Sequence, residues 1–173
     1  NGLSSIGYSP VSGEIIKELL NLYNQGHLIK VIQKAQKLLD RFPEEFIIWN
    51  ILGAANQGVG NLNEASKAFK TVTFLNPKYP EGYNNLGVAF QGQGKIKEAL
   101  NAFNKALSIK HDFPDPYINI GHVFHQQGKI DEALDSYQKA LFLKPDFAEA
   151  HNNLGLVQYR LGKFGDSEVS YLC

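Results

Sequence analysis

Apolar residues recur along this chain at three- and four-residue intervals, with glycine breaking the pattern at regular points. In residues 80–113, Tyr83, Leu86 and Phe90 share one helical stripe, and Ile96, Ala99, Phe103, Ala106 and Leu107 share a second. A stripe at this spacing buries one face of a helix and leaves the other to water, so both stretches read as amphipathic α-helices. Gly94 lies between them, placed to take a positive φ in a tight turn. No segment shows the two-residue alternation of a strand.

This helix pair is one copy of a repeat. Trp49-x-x-Leu52-Gly53, Tyr83-x-x-Leu86-Gly87, Tyr117-x-x-Ile120-Gly121 and His151-x-x-Leu154-Gly155 follow one another at 34-residue steps. The same register aligns Gly26, Gly60, Gly94, Gly128 and Gly162. It also aligns Val31, Ala65, Ala99, Ala133 and Ser167, then Ala35, Phe69, Phe103, Tyr137 and Tyr171, then Pro43, Pro77, His111 and Pro145. The small residues let two antiparallel helices approach closely, and the proline near the end of each unit stops the second helix.

Spacing and residue types together resemble the tetratricopeptide repeat, a helix-turn-helix unit of about 34 residues. The resemblance implies an all-α fold, a right-handed α-solenoid of tandem repeats, over residues 12–173. Units fall at 12–45, 46–79, 80–113, 114–147 and, incomplete, 148–173, with 1–11 as a leader and one folding domain expected. Two units depart from the pattern. The first has Glu18 and Leu19 where Leu and Gly are expected and reads as an N-terminal cap; the fifth has Gln158 where the others carry Asn56, Phe90 and Phe124. The fifth also stops at Cys173, inside its second helix, so an uncovered apolar face is expected there, to be met by more of a longer protein or by a second copy of the chain.

Composition removes several function classes. Seventeen Lys and Arg balance seventeen Asp and Glu, so the basic footprint of a nucleic-acid binder is absent. No apolar run approaches the roughly 20 residues of a membrane span. The one cysteine, Cys173, rules out an internal disulfide framework, which suits a reducing compartment such as the cytoplasm. With Asn1 first and no Met anywhere, the sequence reads as a piece of a longer protein.

In a solenoid the first helix of each pair lines the concave side, and the resemblance implies that its sixth position faces that groove. Here the sixth positions are Asn85, Asn119 and Asn153, preceded in two units by Asn84 and Asn152, whereas the earlier units have Lys17 and Ile51. The array is similar to the asparagine ladder of O-linked N-acetylglucosamine transferases, in which amides hold the backbone of an extended peptide. An amide offers both donors and an acceptor, the complement of a peptide group. The alternative is that these amides satisfy polar groups between adjacent helices. By the same register Val88, Gln91, His122, His125, Gln126, Leu156, Tyr159 and Arg160 complete a lining with little charge. The second positions, Ile47, Glu81, Asp115 and Glu149, lack the cations that clamp a C-terminal carboxylate in some members of the family; the acidic ones could instead attract a basic segment, or, sitting in first helical turns, complement the macrodipole.

Catalytic chemistry finds no foothold. His122, His125 and His151 could be imagined around a metal, but the usual ligand pattern would include an acidic partner and a second shell, and packing or solvent-facing histidines are far commoner than ligands. Gly92-Gln93-Gly94-Lys95 follows a helix and lacks the phosphate-loop spacing, and no Gly-x-Ser-x-Gly elbow occurs. No cofactor and no enzymatic activity are expected of this segment. The expected function is a protein-interaction scaffold holding an extended peptide or partner protein; the alternatives are the substrate-recognition arm of a larger enzyme or a self-assembly module.

Overall fold

The structure is a computed structural model that describes residues 12–160. The leader at 1–11 and the positions beyond 160, including Gly162, Ser167, Tyr171, Cys173 and the open face expected of the last repeat, lie outside the described residues. All nine elements among the described residues are helices. They fall into two compact units divided between Lys78 and Tyr79.

The first unit holds α1 (Gly13–Asn24), α2 (Leu28–Leu39), α3 (Phe46–Gly58) and α4 (Leu62–Leu75). The second holds α5 (Pro80–Gly92), α6 (Ile96–Ile109), α7 (Pro114–Gln126), α8 (Ile130–Leu143) and α9 (Ala148–Arg160). Among the described residues these are four helix pairs at the 34-residue spacing and the first helix of a fifth.

The turn inside each pair is made by its glycine. Gly26, Gly60, Gly94 and Gly128 have φ of 76°, 80°, 73° and 73°. At Gly94 the glycine N–H donates to the Gln91 carbonyl at 2.9 Å and the next N–H, of Lys95, donates to the Phe90 carbonyl at 2.9 Å. The same two bonds recur at Gly26, Gly60 and Gly128. This is the Schellman arrangement, which satisfies the last carbonyls of the first helix and needs a left-handed residue at its centre. A Cβ on any of these glycines would meet nothing within 4 Å, so backbone conformation, not crowding, requires glycine there.

The glycine of the first-helix signature serves a different purpose. A Cβ on Gly53 would lie 2.6 Å from the Phe69 ring, and one on Gly121 would lie 2.5 Å from the Tyr137 ring; Gly87 stands in the same relation to Phe103. Each ring is at most 1% exposed. Each contributes about 1.5–3 kcal/mol by leaving water.

The first helix pair reaches the same packing by the reverse assignment. Leu19 occupies the glycine position and Ala35 the ring position, and both are fully buried in one core with Val31, Ile48, Leu52 and Ala55. Glu18, displaced from the apolar role, instead pairs with Lys34 of α2. The departure that reads as a cap is thus a large-for-small exchange across two helices.

Prolines punctuate less than the sequence suggests. Asn76 and Lys144, each preceding a proline, are extended at φ −132° and −139°, as residues before proline prefer. Lys110 is equally extended at φ −135°, ψ 101°, although His111 follows it. Pro80 and Pro114 start α5 and α7, where a missing N–H has no helical partner to lose.

Candidate functional site

Within the second unit the first helices of successive repeats pack side by side, α5 on α7 and α7 on α9. Polar side chains bridge them. Asn119 Nδ2 donates to Asn84 Oδ1 at 2.9 Å, joining α7 to α5. Asn153 Nδ2 meets His122 Nε2 at 2.7 Å, joining α9 to α7, and Glu149 Oε1 lies 3.8 Å from the same imidazole nitrogen. The result is a polar seam crossing three helices.

The seam differs in one respect from a ladder of free amides. The fifth-position Asn84 of one repeat bonds the sixth-position Asn119 of the next, and the sixth-position Asn153 takes a histidine. Each amide is therefore held at one end. Among the described residues, Asn84 Nδ2, Asn119 Oδ1 and Asn153 Oδ1 have no partner within the protein. Asn84, Asn119 and Asn153 are all half-buried, so those free ends remain within reach of solvent.

The other expected lining residues are distributed around the seam. Asn85, Val88, Gln91 and His125 are half-buried, while Asn152 and Gln126 are exposed. Leu156 and Tyr159 are 42% and 57% exposed and lie on the same helix as Asn153. The side chain of Arg160 lies outside the described residues.

Beneath the seam sits Tyr137 of α8, packed on Gly121 and edge-on to His122 at 5.9 Å between ring centres. The residue is fully buried, and its hydroxyl has no hydrogen-bond partner among the described residues. Burial, and secondarily the Glu149 carboxylate, hold the phenol far above its ordinary ionisation range, so it remains a neutral O–H. A buried hydroxyl without a partner costs about 1–3 kcal/mol. Repeat alignment treats Tyr137 as one more ring in the Phe69 and Phe103 series. The signal that it differs is the hydroxyl itself, which those two positions lack.

The remaining histidine of the imagined metal cluster is employed elsewhere. His151 Nε2 bonds the Pro145 carbonyl at 2.7 Å, the same contact that Trp49 Nε1 makes with the Pro43 carbonyl at 2.7 Å. The first residue of the signature thus ties α3 and α9 each to the loop before it, a role not read from the sequence. Among the described residues no group of three His, Cys, Asp or Glu is placed to hold a metal ion. Glu81, Asp115 and Glu149 occupy the first turns of α5, α7 and α9, where their charge favours the helix. No helix among the described residues is long and apolar enough to cross a membrane.

A family model described as a TPR repeat matches residues 59–94, 92–128 and 121–162, together more than half of the chain. The chain belongs to the TPR repeat family. No curated protein matches it significantly by sequence. Solved structures of similar fold include PilW, a type IV pilus biogenesis factor, with a TM-score of 0.83 and 19% identity over 95% of this chain and 77% of that one. PilF of Pseudomonas aeruginosa gives 0.82 and 17% identity over 91% and 72%. A thermophilic TPR protein of Thermus thermophilus gives 0.78 and 21% identity over 92% and 87%. At these identities the likeness is one of fold, and it makes this TPR chain an all-α repeat protein.

Proposed function

We propose that this TPR chain is a protein-interaction scaffold whose second unit holds an extended segment of a partner along α5, α7 and α9. The observation that carries the reading is the polar seam. Three amides are each held at one end by a neighbouring helix and offer the other, one as a donor and two as acceptors. Pinning an amide removes its rotamer freedom before a ligand arrives, so less entropy is lost on binding. A peptide backbone, alternating donor and acceptor, complements such a row without demanding a particular sequence. Leu156 and Tyr159 beside it supply apolar contact for side chains of the bound segment.

The test uses Asn119→Ile. Ile51 stands at the equivalent position of α3 and is accommodated in a buried core, so an isoleucine is compatible with this register. The full chain and the variant, both verified as helical by circular dichroism, are used to retain proteins from a lysate of the source organism. The expected result is a partner held by the parent chain and released by the variant. Identical retention by both would overturn the reading and make the amides purely structural.

A further inference from the structure

A cavity of about 410 Å3 opens in the first unit where α2, α3 and α4 meet. Small-ligand sites run from about 300 to 1,000 Å3, so this one has room for a single side chain and not for a whole segment. Its floor is apolar: Leu39 and Leu52 are 7% and 6% exposed and belong to the core of that unit. Trp49 forms a wall, and its indole N–H donates to the Pro43 carbonyl at 2.7 Å, which holds the ring in place. Gln36, Asp40 and Glu64 complete the lining and are exposed. Two carboxylates therefore border the opening, and no lysine or arginine lines it.

The two carboxylates differ in what the fold asks of them. Glu64 sits in the first turn of α4, where the helix dipole favours it, and Glu98 and Glu132 stand at the same place in α6 and α8. It is held by Lys67 at 2.7 Å, but both groups are more than half exposed, and a surface pair of that kind is readily exchanged. Asp40 makes no ion pair among the described residues. It caps the C-terminus of α2, the negative end of the dipole, where a carboxylate is disfavoured. The repeat does not demand it either, since the equivalent positions are Phe74, Ser108 and Phe142. A cavity of about 450 Å3 in the second unit, beside Tyr117 and Phe142, carries its own cation: Lys139 lines it with Asp135 and pairs with that carboxylate at 2.6 Å. The cavity at Trp49 lacks such a match.

We infer that the cavity at Trp49 receives an arginine side chain of a partner protein, at a docking surface separate from the amide seam and independent of it. The stem of an arginine covers Leu39 and Leu52, as long basic side chains cover apolar surface. Its planar guanidinium stacks on an indole face and meets a carboxylate through paired N–H bonds, where lysine offers only a point charge. Asp40 supplies the complementary charge, and the Trp49 ring, already fixed by Pro43, loses little freedom on contact. An acidic side chain is repelled here, and a neutral one leaves Asp40 without a counter-charge.

Trp49 is the only tryptophan in the chain, so its emission reports on the cavity directly. The full chain is titrated with blocked heptapeptides of Ala and Ser that carry one central arginine, and with the same peptide carrying citrulline, which keeps the shape and loses the charge. Arginine peptide is expected to change Trp49 emission and to bind about tenfold more tightly than citrulline peptide, the usual scale for hydrogen bonds to a charged group. Asp40→Asn, an exposed change that relieves α2 of an unfavourable charge, is expected to fold normally and to bring the two affinities within about twofold of each other. Asn119→Ile, in the other unit, is expected to leave the titration unchanged; loss of the response there would place the peptide on the seam and overturn the inference. Equal affinity of the parent chain for the two peptides would also overturn it, as would an arginine preference undiminished in Asp40→Asn or a Trp49 that responds to neither peptide. Emission that changes with protein concentration alone would do the same, because a second copy would then be filling the cavity.

Discussion

Exchanging Gly53 and Phe69 for Leu and Ala would rebuild the second helix pair on the plan of the first. Volume complementarity makes a quantitative prediction for this exchange. A Cβ at position 53 would start 2.6 Å from the Phe69 ring, while ordinary contact begins near 3.4 Å. The ring must therefore withdraw by roughly 0.8 Å before any further atom of the leucine is placed. Overpacking of this kind costs about 1–3 kcal/mol, sometimes more, partly offset by up to about 1 kcal/mol from replacing glycine inside a helix. Phe69→Ala alone opens a cavity in a core where the ring is 1% exposed, for about 3–5 kcal/mol.

Were the two sites independent, the double variant would lose roughly 3–8 kcal/mol. If they exchange volume as Leu19 and Ala35 do, the leucine fills the space the ring vacates. The double variant then loses under about 3 kcal/mol, less than the sum of the two measured single losses by more than about 0.5 kcal/mol. Urea unfolding of the full chain measures this, followed by circular dichroism and by the fluorescence of Trp49, the single tryptophan, which lies on α3 with Gly53. Repeat proteins need not unfold in one step, so agreement between the two probes is part of the measurement. A double variant whose loss equals the sum of the single losses to within about 0.5 kcal/mol would refute the exchange.

Two further predictions follow from single residues. Gly128→Ala should destabilise by about 0.5–1.5 kcal/mol, because φ is 73° and nothing crowds the site, and Gly128→Asn should cost less, since asparagine tolerates the left-handed region; an alanine variant as stable as asparagine in thermal melts would contradict this. Alkaline stability should carry a Tyr137 component: the unfolded phenol ionises near its ordinary value of 10.0 while the folded one is raised. The folded state then binds the extra proton, so stability is full below pH 10 and falls above it. Tyr137→Phe should flatten that fall in pH-dependent urea titrations, and an unchanged slope would count against the burial argument.

Helix pairs and turns were legible because each rests on local chemistry. An apolar stripe and a glycine that must take positive φ can be read one repeat at a time, and Gly26, Gly60, Gly94 and Gly128 fall where that reading puts them. The exchange at Leu19 and Ala35 was harder, since it appears only when two positions 16 residues apart are weighed together for volume. The amides were legible as residues and as a register, but their partners were not. Whether Asn119 reaches Asn84 or Asn85 depends on the offset between neighbouring helices, which no single repeat encodes. Tyr137 was hidden by equivalence, because a pattern that accepts any ring at that position says nothing about a hydroxyl.

The position of the seam bears on why it carries amides at all. The sixth position of α3 is Ile51, 5% exposed in the core of the first unit, so the fold itself accepts an apolar residue there. Burying such a side chain contributes about 1.5–3 kcal/mol, whereas a hydrogen bond between two neutral amides contributes about 0.5–1.5 kcal/mol net. On stability alone Asn119 is therefore the weaker choice, and Asn119→Ile should fold at least as firmly as the parent chain. Asn119 nonetheless projects an acceptor from a rotamer fixed by Asn84, and the proposed function assigns that acceptor to a bound segment. That is the physical reason to separate stability from retention of a partner in the same variant: a structural amide would lose the first, and a recognition amide the second.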